Sequence, residues 1–108
     1  MRLFVYDDAG LLIGIRSDPS VPFLDDNIWW SEVPDEPDSL VLGWIGRICA
    51  DPTLRISQEG GVATLAVFEG VLEGVEGEAC PAVGVAHKVV LTFNVPVSDL
   101  VISLRLSE

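Results

Sequence analysis

The chain has 108 residues, with 17 Asp plus Glu against 6 Lys plus Arg, a formal charge of -11, and yet 49% of it is hydrophobic. That length makes a single domain with one modest core. Basic residues this few and scattered exclude a phosphate-binding surface, and no run approaches the ~20 uninterrupted apolar residues of a membrane helix, so neither direct nucleic-acid binding nor a membrane partner is expected.

The start, Met1 to Asp8, reaches Asp7 and Asp8 too early for the apolar core of a signal peptide, so synthesis in the cytoplasm is expected. Arg2 to Tyr6 is a β-prone run. Asp7-Asp8-Ala9-Gly10 supplies turn chemistry, and Leu11 to Arg16 reads as the returning strand of a hairpin. Residues 17–39 break this rhythm with Pro19, Pro22, Pro34 and Pro37 and read as a Pro-rich acidic arm. Within it, Asn27 to Val33 is either a short strand or one helical turn capped by Asp25 or Asp26.

Leu40 to Ile48 reads as a buried strand with Leu40, Leu42, Trp44 and Ile48 on one face. Thr53 to Gln58 alternates, Gly60-Gly61 is a two-residue hairpin signal, and Val62 to Phe68 is the partner strand. Glu69 to Glu78, with Glu-Gly-Val twice, reads as an acidic loop or hairpin tip. Val89 to Val95 alternates with Val89, Leu91, Phe93 and Val95 on one face, and Pro96 ends it. Leu100 to Leu106 alternates again with Leu100, Ile102, Leu104 and Leu106 inward. The expected fold is all-β: an antiparallel sandwich or small barrel of about seven or eight short strands, with no long helix.

Chemistry is sparsely signalled. Cys49 and Cys80 read as buried thiols or as one disulfide pair. His87, the sole histidine, sits before Lys88 at a strand start and reads as a surface or edge residue. No nucleophile elbow or cysteine-protease signature surrounds either thiol, and Cys49, Cys80 and His87 lack the close paired spacing of a zinc site. Asp25-Asp26-Asn27 and Asp35-Glu36-Pro37-Asp38 offer hard oxygens suited to calcium, without the EF-hand pattern. No catalytic residue and no cofactor are expected, and the chain is read as non-enzymatic.

The expected role is a structural or interaction subunit of a larger assembly, with protein partners or further copies of itself. Small capsid-cementing, decoration or tail proteins of virus particles have this general character. The alternatives are an acidic inhibitor that mimics nucleic acid in the groove of a DNA- or RNA-binding enzyme, and a carbohydrate-binding module built on Trp. Candidate partner-binding residues are Trp29 and Trp30, whose rings point to opposite faces of a strand, leaving one exposed, together with Asp35, Glu36, Asp38, Glu73 and Glu76 in the acidic segments.

Overall fold

The computed structural model describes residues 3–17, 24, 27–47, 51–69 and 84–107. Cys49, Cys80, Asp25, Asp26, Glu73 and Glu76 lie outside them, as do the loop expected at 70–78 and most of 18–26. Alternating apolar runs become strands because period-two side chains can bury one face of a sheet. They are β1 (Phe4–Asp7), β2 (Leu12–Arg16), β3 (Trp29–Val33), β4 (Glu36–Arg47), β5 (Pro52–Glu59), β6 (Val62–Glu69), β7 (Gly84–Phe93) and β8 (Val101–Ser107). A 3-10 turn, Val97–Asp99, precedes β8. No described helix is long and apolar enough to cross a membrane.

Two four-stranded sheets form, ordered β1-β5-β6-β8 and β2-β7-β4-β3. The arrangement is a small sandwich, with one sheet mixed and not wholly antiparallel: β1 runs parallel to β5 and β8 runs parallel to β6. Between the sheets, Leu40, Leu42 and Trp44 of β4 and Leu91 and Phe93 of β7 meet Leu54, Ile56, Leu65 and Val67 of β5 and β6. All nine are inaccessible to solvent. Over the described residues the phases read for β4, β7 and β8 are those observed, with Leu100, Ile102 and Leu104 half-buried against this core and Leu106 36% exposed; Ile48 lies outside the described residues.

One expected hairpin does not form. β1 runs parallel to β5 in one sheet, whereas β2 runs antiparallel to β7 in the other. The chain turns at Asp7 but crosses between layers. Asp7 fixes the crossing: its Oδ1 accepts from the backbone N–H of Ala9 at 3.2 Å and Leu11 at 3.3 Å, and its Oδ2 from Leu12 at 2.8 Å. Asn94 closes the corner by donating its side-chain amide to the Gly10 carbonyl at 2.8 Å. The Gly60-Gly61 hairpin forms as expected, joining Glu59 to Val62, with Gly60 at φ 61°.

The stretch read as an arm contains the β3–β4 hairpin, and of Asn27 to Val33 the part Trp29–Val33 is a strand and not a helical turn. Pro34 and Asp35 make its turn, with Asp35 at φ 64°, in the left-handed region that short polar side chains tolerate best after glycine. Pro37 falls where the β3–β4 register shifts, so its missing N–H interrupts no regular ladder.

Candidate functional site

Both Trp residues of β3 are accounted for by packing. Trp29 pairs with Gly43 on the outer face of its sheet and is only 7% exposed; the ring lies on that glycine beside Val41 and Val90. A Cβ at position 43 would overlap the indole. Trp30 pairs with Leu42 and packs half-buried against the inter-sheet core. The opposite-face expectation is correct, but neither ring stands out in solvent. Trp44 is fully buried. A sugar-stacking platform built on Trp therefore has no exposed indole to use.

The acids of the hairpin separate. Glu36 pairs with Arg16 at 2.7 Å, tying the hairpin to β2, while Asp35 and Asp38 are exposed in the turn and on β4. Beside them is a groove of about 140 Å³, lined by Glu32, Val33, Glu36, Pro37 and Ser39 with Val97 of the 3-10 turn. It is below the roughly 300–1,000 Å³ of small-molecule pockets. Among the described residues, no group of three or more His, Cys, Asp or Glu is placed to hold a metal.

The feature that sequence reasoning missed is a buried polar cluster at the opposite end of β4. His87 is 6% exposed, on the inner strand β7, directly across from Trp44. It is a core residue and not a surface or edge residue. Glu69, expected in an acidic loop, instead ends β6 at 3% exposure. The Trp44 indole N–H donates to Glu69 Oε1 at 2.6 Å, and the Trp44 and His87 rings lie 5.2 Å apart at 38°. Gly46 makes room: a Cβ there would overlap the Glu69 carboxyl and stand 2.8 Å from His87 Nε2. Glu69 Oε2 and His87 Nε2 have no hydrogen-bond partner among the described residues. Burial pushes the His87 imidazole below its ordinary pKa, and the Glu69 carboxyl beside it pulls the other way.

A sequence signal for this cluster exists. His87 is in phase with Val89, Leu91 and Phe93, and Glu69 with Ala63, Leu65 and Val67, so period two continued past the apolar runs puts both inside. Chemically the cluster is a plug. One carboxyl oxygen is held by a donor, one imidazole lies tilted against the donor's ring, and apolar strands surround both.

A second feature lies on the outer face of the β1-β5-β6-β8 sheet. The register makes one row of Phe4, Thr53, Phe68 and Ser107, and the next of Tyr6, Arg55, Ala66 and Arg105. Phe4, Tyr6 and Phe68 are 43%, 52% and 43% exposed. The Arg55 guanidinium sits 5.5 Å from the Tyr6 ring centre and 3.4 Å from an Asp8 carboxyl oxygen. This face joins three exposed aromatic rings to two arginines on a chain that is acidic overall. Compared with protein-family models, curated proteins and solved structures, the chain matches none.

Proposed function

We propose that this protein is a non-enzymatic subunit that packs into a larger protein assembly. One observation carries the reading: the aromatic rows Phe4–Phe68 and Tyr6–Arg55 on the outside of a two-layer sandwich. A sheet with one face on the core ordinarily turns polar residues to water on the other. Aromatic residues and Arg on an exposed face are the composition of a contact surface. A virus particle, with the chain as a cementing, decorating or tail subunit, is the setting we propose for such a surface. The exposed acids Asp35 and Asp38 at the other sheet would then meet basic neighbours.

The nucleic-acid-mimic alternative gains less from the geometry. A mimic needs an ordered row of carboxylates spaced like phosphates. Among the described acids, Glu36 is tied to Arg16, Glu69 is buried and Asp7 is spent within its own corner.

The test is native size. In extracts of the cell that makes it, the chain should sediment with particles far larger than its own 11.6 kDa. A Phe4→Ser/Phe68→Ser chain that keeps its far-ultraviolet circular dichroism should leave those particles. Sedimentation of both forms as small species, or retention of the double variant in the particle, overturns the reading.

A further inference from the structure

Among the described residues four strands are sheet edges: β1 and β8 in one sheet, β2 and β3 in the other. Natural edges are normally protected by shortness, bulges or charges. β1 has four residues. β2 carries a register shift between Leu12 and Gly14 and ends in Arg16. β3 carries a shift between Glu32 and Val33. β8 is neither short nor bulged: seven residues without Gly or Pro, in unbroken register with β6 from Val101 to Ser107. Its one charge, Arg105, is on the outer face.

The backbone of β8 fixes what this edge offers. The N–H of Val101 donates to the Gly61 carbonyl at 2.9 Å. In a parallel ladder, alternate residues address the same neighbour, so residues 101, 103, 105 and 107 turn their backbone groups to β6. Ile102, Leu104 and Leu106 therefore present their N–H and C=O groups outward, in the plane of the sheet. We infer that β8 pairs antiparallel with β8 of a second copy of this chain, about a two-fold axis at Leu104.

That register is the one in which every outward group is used. Leu104 meets Leu104 of the second copy, and Ile102 meets Leu106, each as a hydrogen-bonded pair. Three such pairs exchange about six backbone hydrogen bonds. The side chains agree. Ile102, Leu104 and Leu106 share the core-facing side, where Leu106 is now 36% exposed, and apolar meets apolar across the junction. On the outer face Val101 meets Ser107 and Ser103 meets Arg105, so no like charges oppose. The two four-stranded sheets become one continuous sheet of eight. The inference deepens the subunit reading and rests on it, since it names a second copy as one partner.

The experiment is sedimentation equilibrium on the purified chain, with substitutions at Ser103, whose side chain lies on the outer face beside Thr64. Ser103→Glu places a carboxylate opposite Arg105 of the other copy, twice per dimer, and should tighten the dimer between about 2- and 30-fold. Ser103→Arg should loosen it over the same range. Loosening by Ser103→Glu would mean that residue 103 faces itself, and overturns the Leu104 axis. A purified wild-type chain that is monomeric at millimolar concentration overturns the pairing altogether. If that monomer still joins large particles in extract, the pairing alone has failed; if it does not, both have.

Discussion

Trp44→Phe tests whether the buried cluster holds the end of the core together. The substitution keeps a ring in the site but removes the N–H that donates to Glu69 Oε1 at 2.6 Å. Glu69, 3% exposed and with Oε2 already lacking a partner among the described residues, is left without a donor for its carboxyl group. A buried group stripped of its partner costs about 2–3 kcal/mol, and the lost part of the indole adds about 1–2 kcal/mol for transfer and cavity. The sum, about 4 kcal/mol, is a large share of the roughly 5–15 kcal/mol that holds a domain together. It lowers Tm by about 15 °C or more at this chain length. The polar share is separable by a cycle with Glu69→Leu, measured by urea unfolding at pH 8, above the His87 titration. In Trp44→Phe/Glu69→Leu both polar groups are gone, so the double variant should recover about 2 kcal/mol relative to Trp44→Phe alone. Additivity of the two single changes to within about 0.5 kcal/mol would refute the reasoning.

Two further outcomes follow from the same geometry. Gly43→Ala forces the Trp29 indole off the sheet and should destabilise by about 1–3 kcal/mol in urea unfolding, with part restored by adding Trp29→Val; a change below about 0.5 kcal/mol would mean the ring moves aside without cost. Burial lowers the His87 pKa from 6.5, so between the lowered value and 6.5 the unfolded chain binds more protons than the folded one. Stability therefore rises with pH through that window and is lost on acidification, by at most about 1.4 kcal/mol per pH unit. His87→Leu should flatten this part of the profile, and Glu69→Gln, which removes the upward pull, should extend the loss to lower pH. Parallel profiles for wild type and His87→Leu would show that the imidazole does not titrate differently on folding.

The strands were legible because period-two burial writes itself directly into β4, β5, β6, β7 and β8, where one parity is apolar over three successive positions. The placing of β1 and β2 in different sheets was not. Asp-Asp-Ala-Gly announces a change of direction, and the same residues serve a hairpin or a crossing between layers. The choice depends on where the Asp7 carboxyl finds donors, and those are the N–H groups of Ala9, Leu11 and Leu12. His87 and Glu69 were misread for a related reason. A polar residue at the end of an apolar run looks like the exit from the core, although phase and not polarity decides the face. Among the described residues it is the donor on Trp44, a different strand, that makes the inward placement of Glu69 tolerable. Sequence spacing gives no sign of that contact.

The net charge, too, changes meaning once placed. Of the acids with described contacts, Asp7 builds a corner, Asp8 faces Arg55, Glu36 faces Arg16 and Glu69 is inside the core. These carboxyl groups serve the fold before they serve any partner, so the formal charge overstates the anionic surface the described residues offer. The contact surface we propose rests instead on apolar residues of the outward phase. Phe4 and Tyr6 alternate with Val5, and Phe68 follows Val67, so each aromatic ring sits one position away from the residue that enters the core. A strand that needed only solubility would place Thr, Ser or Lys at those positions, as Thr53 and Ser57 stand in β5. Three large rings on the outward parity of two strands, held beside Arg55, are costly to leave in water and gain their area only when covered. The outward aromatic parity, more than the acidity, is what supports our proposal of this face as the contact surface.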